Sequence, residues 1–222
     1  MDETTWTRVE AYFNASLLGE DPVLEAALQA SVEAGLPAIH VAPSQGKLLH
    51  LLVRVRGARR VLEIGTLGGY STIWMARALP SDGHLLTVEH NAHHAAVARE
   101  NLDRAGLAEV VEVRLGPALD TLDALLAAEV KPFDFVFIDA DKERIPAYVE
   151  RSLRLSRPGT VLIVDNVVRR GAVADPGSED ARVHGVQRMV AQLAARSGVS
   201  ATAVQTVGEK GYDGFVLMVV EA

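Results

Sequence analysis

The side chains that could do chemistry gather where apolar runs stop. "DFVFIDADKERI", Asp134 to Ile145, opens as a buried strand with Phe135, Val136, Phe137 and Ile138, then places Asp139, Asp141 and Lys142 within four positions. The next apolar run, Val161 to Val164, also ends in an acid, Asp165, followed at once by Asn166. Two carboxylates and an amide oxygen at the ends of sequential strands make an all-oxygen donor set. Such a set suits a hard divalent cation, Mg2+ first, with Ca2+ or Mn2+ as alternatives. Close carboxylates repel unless a cation or a proton lies between them. A single acid capping a loop is common; two acids with Asn166 point to a metal site at Asp139, Asp165 and Asn166. Lys142, three residues beyond Asp139, is the candidate general base, against the blander reading of a surface lysine. Asp141 either orients Lys142, contacts a cofactor or is a solvated loop acid.

A second constellation lies upstream. "VLEIGTLGGYS", Val61 to Ser71, is a buried strand ending at Ile64, a turn built on Gly65, Gly68 and Gly69, and a helix start. Glycines permit tight turning and close approach of a ligand. A dinucleotide site prefers Gly-x-Gly-x-x-Gly; here Thr66 and Leu67 follow Gly65, and an acid, Glu63, sits inside the strand. The following strand ends at Glu89, placed to accept hydrogen bonds from ribose hydroxyls. Glu63 and the glycine spacing favour S-adenosylmethionine over NAD.

These residues need a sheet to position them. Short apolar runs at Val61–Ile64, Leu85–Val88, Val110–Val113, Phe135–Ile138 and Val161–Val164 alternate with amphipathic segments over 71–79, 92–105 and 119–128. That rhythm predicts βαβ units and a parallel sheet, whose carboxyl edge binds ligands. Strands over 201–207 and 215–220, joined by Gly208 to Gly214, are too close for a helical crossover and should pair antiparallel. Before the first strand, Trp6, Val9, Tyr12, Phe13 and Leu17 fall at helical spacing; packing is the expected role of Trp6, Tyr12 and Phe13, with the acceptor pocket or a dimer seam as the alternatives. Asp21-Pro22 starts a second helix. A third runs over 44–56, with Leu48, Leu49, Leu51 and Leu52 expected to face inward. The expected architecture is one α/β domain over 1–222, doubly wound and mostly parallel, with N-terminal helices in 1–57 and a Rossmann-like core in 58–222.

Composition narrows the classes. The 222 residues are 49% hydrophobic and 23% charged, ordinary for a globular chain. A net charge of -7 argues against nucleic-acid binding. No apolar run approaches the roughly 18 residues that span a bilayer, so no membrane association is expected. There is no cysteine, which excludes disulfides, thiolate metal sites and a cysteine nucleophile, and suits a cytoplasmic location.

In the order "APSQG", "VLEIGTLGGYS", "VEHN", "GPAL", "FIDADK", "VDNVVRRG" and "GYDG", the chain resembles the class I S-adenosylmethionine-dependent methyltransferases. More narrowly it is similar to the cation-dependent O-methyltransferases related to caffeoyl-CoA and catechol O-methyltransferases. That resemblance implies a seven-stranded sheet, a small aromatic acceptor with vicinal hydroxyls or its CoA ester, and a homodimer. It implies a cofactor site in which Val41 and Ala42 line the pocket, Glu63, Gly65 and Ser71 surround the methionine part, and Glu89 takes the ribose. Ala118 would meet the adenine through its amide, and Asp139 would meet the cofactor's amino group as well as the metal. Lys142 corresponds to the lysine thought to act as the family's base. A non-catalytic S-adenosylmethionine- or metal-binding module is the alternative, though it would have no use for Lys142. Relatives often carry Asn-Tyr two to three residues after that lysine; here Arg144-Ile145 stand there, which leaves the acceptor open. Arg169-Arg170 is read as an exposed pair or as a contact for an anionic acceptor. His40 is a candidate active-site contact, Tyr70 a helix-start packing residue, His90, His93 and His94 are read as solvent-facing, and His184 as a surface or interface residue.

Overall fold

The computed structural model describes residues 2–222. Three helices come first: α1 (Glu3–Leu17), α2 (Pro22–Glu33) and α3 (Pro43–Arg56). Their starts have local causes. Asp2 and Asp21 accept hydrogen bonds from the amides of Thr5 and Leu24, and Pro22 and Pro43 open α2 and α3, where an N–H would have no helical partner. Gly57, left-handed at φ 62°, ends α3.

Strands and helices then alternate: β1 (Arg60–Ile64), α4 (Tyr70–Ala76), β2 (His84–Glu89), α5 (Ala92–Arg104), β3 (Val111–Leu115) and α6 (Ala118–Ala127). They continue as β4 (Phe133–Ile138), α7 (Ile145–Arg154), β5 (Ser156–Asp165), α8 (Ala181–Ala194), β6 (Val199–Gly208) and β7 (Gly211–Val220). The sheet order is β3-β2-β1-β4-β5-β7-β6. All pairs are parallel except those of β7, which runs antiparallel to β5 and β6. This is the mostly parallel, seven-stranded α/β sheet with a C-terminal hairpin that the alternation predicts. Among the described residues, no helix is long and apolar enough to cross a membrane.

The hairpin is tighter than its sequence suggests. Gly208 pairs with Gly211, so only Glu209 and Lys210 make the turn, and the left-handed Gly211 (φ 85°) allows it. The N-terminal helices also differ from expectation. In α3, Leu49 and Val53 are buried while Leu48, Leu51 and Val55 are exposed. At 3.6 residues per turn these sets lie on different faces, and four leucines in five positions cannot share one. Helix α1 buries no residue, and Tyr12, Phe13 and Leu17 face outward at 68%, 51% and 72% exposure. Their expected packing role is therefore not met inside the chain.

Alternation along the strands divides the core. Leu62, Ile64, Val136, Ile138, Leu162 and Val164 pack toward α6, α7 and α8. Val61, Phe135, Phe137 and Ile163 pack toward α2, α3, α4 and α5. Phe135 and Phe137 have no exposed surface, and each contributes about 1.5–3 kcal/mol relative to standing in water.

Register carries this rigidity to the sheet's edge. Ile64 is level with Val88 and Ile138, and Ile138 is level with Val164. One step further along, Glu89, Gly65, Asp139 and Asp165 therefore stand in a row on neighbouring strands, with about 4.8 Å between strands. The strand order reverses between β1 and β4, the place where open α/β sheets bind ligands.

Candidate active site

A cavity of about 1020 Å³ opens along that edge. Val41, Gly65, Ser71, Glu89, Ala118, Asp139, Lys142 and Asn166, all singled out from sequence, line it. Ala42, Glu63 and Asp165 do not, and each has a physical reason.

The turn after β1 and the turn after β4 are locked together. Asp139 N donates to Ile64 O at 2.9 Å, and Gly65 N donates to Val88 O at 3.0 Å. Gly65 lies at φ 101°, and a Cβ there would come within 2.0 Å of the Asp139 carbonyl oxygen. Only glycine lets the two turns close so tightly, and that closeness fixes the position of Asp139.

Lys142 begins a 3-10 turn, Lys142–Arg144. It is 7% exposed, and its Nζ donates to Asp139 Oδ1 at 2.8 Å. Gly185 of α8 sits on its backbone, since a Cβ there would meet the Lys142 carbonyl oxygen at 2.0 Å. Asp141 does not orient Lys142. It accepts from Tyr148 Oη at 2.5 Å and from Arg144 Nη1 at 3.4 Å, tying the turn to α7. Burial and the Asp141 carboxylate push the Tyr148 hydroxyl well above its ordinary pKa, so it stays a donor.

Asp165 is 3% exposed and lies just behind the cavity wall. Its Oδ1 accepts from Asn166 N at 2.8 Å. Burial first, and the charge of Asp139 second, push its carboxyl up to about 7, against the opposing charge of Lys142. Lys142, which donates to Asp139, is the positive charge that faces this pair. Asn166, left-handed at φ 53°, adds an amide on the cavity side. Among the described residues, no group of three His, Cys, Asp or Glu side chains could hold a metal ion. The set here has two carboxylates and an amide, and its chemistry fits an oxygen-preferring divalent cation.

Glu63, implied at the methionine part, stands one layer behind the cavity lining. Strand alternation turns it to the α4 face, where it has no exposed surface. Its carboxylate accepts from Ser71 Oγ at 2.6 Å and Thr72 Oγ1 at 2.5 Å. It anchors the first turn of α4, whose Ser71 lines the cavity. Ala42 caps α3 and is buried; Val41, just before it, lines the wall. Glu89 lines the cavity but also organises the glycine turn. Its Oε2 accepts from Thr66 N at 3.2 Å and Leu67 N at 2.9 Å, and its Oε1 from Asn91 N at 2.9 Å. An anion that gathers backbone amides stiffens a loop that has Leu67 at φ 50°.

Sequence reasoning missed three contributors. Gly185 and Tyr148 support the lysine turn from helices α8 and α7. Asp213, in "GYDG", accepts through Oδ1 from Val168 N at 2.9 Å and Arg169 N at 3.0 Å, pinning the loop after Asn166. The motif was visible; its partners, more than forty residues away, were not. His40 lines the cavity edge-on to Tyr70, with ring centroids 5.6 Å apart, and its Nε2 is 3.3 Å from Lys210 Nζ. Tyr70 is buried at the start of α4 and lines the cavity as well. His93 is exposed, as expected. His94 is half-buried and lines the cavity beside the exposed His90, while His184 is half-buried against the Ser178 carbonyl.

The O-methyltransferase family profile matches residues 14–218. The chain is 48% identical over 221 residues to the catechol O-methyltransferase of Niastella koreensis, covering 100% of both. Its fold superposes with TM-score 0.97 on the O-methyltransferase from Bacillus cereus in complex with SAH, at 55% identity, covering 99% of this chain and all of that one. It superposes with TM-score 0.96 on the O-methyltransferase TomG from Streptomyces achromogenes, involved in tomaymycin synthesis and in complex with SAM, at 53% identity over the whole of both chains.

Proposed function

The chain belongs to the O-methyltransferase family, and on that premise we propose that it moves the methyl group of S-adenosylmethionine onto one hydroxyl of a vicinal dihydroxy aromatic acceptor, with a divalent cation, Mg2+ first, at Asp139, Asp165 and Asn166. One observation carries this reading. A buried amine, Lys142 Nζ, stands 2.8 Å from Asp139 Oδ1 in the wall of the ligand cavity, within electrostatic reach of the second, buried carboxylate of Asp165. The cofactor assignment draws support from the SAH and SAM complexes of the two structural relatives, and the acceptor class from the catechol enzyme.

Gly65 and Ser71 form the end of the cavity that would take the methionine part, Glu89 offers remaining lone pairs to a ribose, and Ala118 stands where its amide can meet the base. A cation held by the three oxygen donors would supply the positive charge that favours an ionised acceptor hydroxyl. Lys142 Nζ, in its neutral amine form, takes the proton from that hydroxyl. The acceptor oxygen forms a bond to the methyl carbon as the carbon–sulfur bond breaks, and that electron pair returns to sulfur. The products are a methyl ether and S-adenosylhomocysteine. Rigid turns on neighbouring strands hold oxygen, carbon and sulfur in line, the main contribution to rate in such a transfer.

The test is methyl transfer to a catechol followed by mass spectrometry. Product should form with Mg2+, stop with EDTA and return when Mg2+ is restored. Full turnover in chelator would remove the cation from the reaction, and no product from any catechol would reject the proposed activity.

We infer too that a second copy of the chain covers α1. Glu10 ties this helix to the body through Ser44 Oγ at 2.6 Å and Glu209 N at 2.6 Å, leaving Tyr12, Phe13 and Leu17 outward. Single outward apolar residues are ordinary; a stripe of them marks an interface. Light scattering should give twice the chain mass, and a monomer with Tyr12→Asp. A wild-type monomer at micromolar concentration would refute it.

A further inference from the structure

Three arginines line the cavity: Arg144, Arg169 and Arg182. Two are paired with acids. Arg182 donates through Nε and Nη2 to Asp180 at 2.9 Å and 2.7 Å, and Arg144 reaches Asp141 at 3.4 Å. Arg169 has no such pair among the described residues, and its Nε is buried without a hydrogen-bond partner. Asp180 feels the charge of Arg169, but its oxygens are held mainly by Arg182. A half-buried guanidinium left unsatisfied is costly unless something else supplies the acceptors.

The backbone points the same way. Asn166, Arg169 and Arg170, all non-glycine, lie at φ 53°, 54° and 55°, three left-handed residues within five positions. Such strain persists where the surroundings enforce it, and it clusters at ligand sites. Here Asp213 Oδ1 enforces it through Val168 N, Arg169 N and Gly214 N. Only Val167 and Val168 separate Asn166 from Arg169, so the Cα atoms of the two lie within about 11 Å. One small aromatic molecule could reach both.

We propose that Arg169 receives a carboxylate on the aromatic acceptor, which makes dihydroxy aromatic acids the preferred substrate class. This rests on the O-methylation reading above. A planar carboxylate matches the guanidinium fork. A CoA thioester of the same acid has lost that group to the sulfur, and its phosphates lie far from the ring.

The experiment compares 3,4-dihydroxybenzoate, its neutral amide and its CoA thioester, in wild type and in Arg169→Gln, with Mg2+ and S-adenosylmethionine. Wild type should favour the acid over the amide by about ten- to a hundredfold in kcat/KM, the size of a charged hydrogen bond, and should favour it over the thioester. In Arg169→Gln the acid-to-amide ratio should fall toward one, whereas a purely structural role would slow both substrates alike. An acid-to-amide ratio near one in wild type overturns the proposal, and so does a preference for the thioester or an unchanged ratio in the variant. If Arg169→Gln does not fold, the wild-type ratios still decide. If no catechol is methylated, the activity itself is wrong, and calorimetric titration of acid against amide, with S-adenosylhomocysteine and Mg2+ present, decides the carboxylate site separately.

Discussion

Replacing Glu63 by Gln should change how stability depends on pH, in a direction that the structure dictates. Burial dominates at Glu63, partly offset by the hydroxyls of Ser71, Thr72 and Thr87 and reinforced by the charge of Asp139. Its carboxyl is pushed up from 4.5 to about 7. Below about pH 4.5 the group is protonated in both the folded and unfolded chain and contributes nothing pH-dependent. From there upward the unfolded chain gives up its proton while the folded one keeps it, so stability falls by about 1.4 kcal/mol per pH unit. Above about pH 7 both are ionised, and the loss levels off at about 3 kcal/mol. Glu63→Gln has nothing to ionise, and Ser71 and Thr72 can still donate to its amide oxygen. The assay is urea unfolding of both proteins in chelator, from about pH 4 to pH 8. Contributions from Asp165 and other groups cancel in the difference between the two proteins. Relative to wild type, the variant should gain about 3 kcal/mol across that range. A difference that stays flat, or that moves toward wild type as pH rises, would refute the buried-carboxyl reasoning.

Two glycine substitutions test how the turns hold the site. Gly65→Ala, at φ 101° and with its Cβ 2.0 Å from a backbone oxygen, should cost about 2–5 kcal/mol in unfolding free energy; a loss under 1 kcal/mol in urea titration would show that the strand ends are not locked. Gly185→Ala meets the Lys142 carbonyl at 2.0 Å and must displace the turn or α8. Its kcat should fall by about a hundredfold with little change in S-adenosylmethionine affinity by calorimetry, and equal losses in both would contradict the local account.

What could be read from sequence depended on the range of the interactions. Short continuous apolar runs marked the strands, and the acids ending them, Asp139 and Asp165, fell level because parallel register is regular. The lysine was legible from its three-residue distance to Asp139. Nothing in the order of residues says that the hydroxyls of Ser71 and Thr72 donate to the Glu63 carboxylate. The helical period of α1 was plain, but the direction its stripe faces is a tertiary fact. Arg169 looked like half of an exposed pair. Its constraint depends on the backbone dihedrals of the loop and on Asp213, which follows it by forty-four residues. Gly185 gave no local signal, since its reason is a carbonyl on another element.

The most direct test of the central claim is methyl transfer by Lys142→Met, measured with kcat, KM and the calorimetric Kd for S-adenosylmethionine on the same preparation with saturating Mg2+. If Lys142 takes the proton from the acceptor, kcat should fall by about 10²–10⁴-fold while cofactor affinity stays near that of wild type. An unchanged kcat in a folded variant would contradict the account.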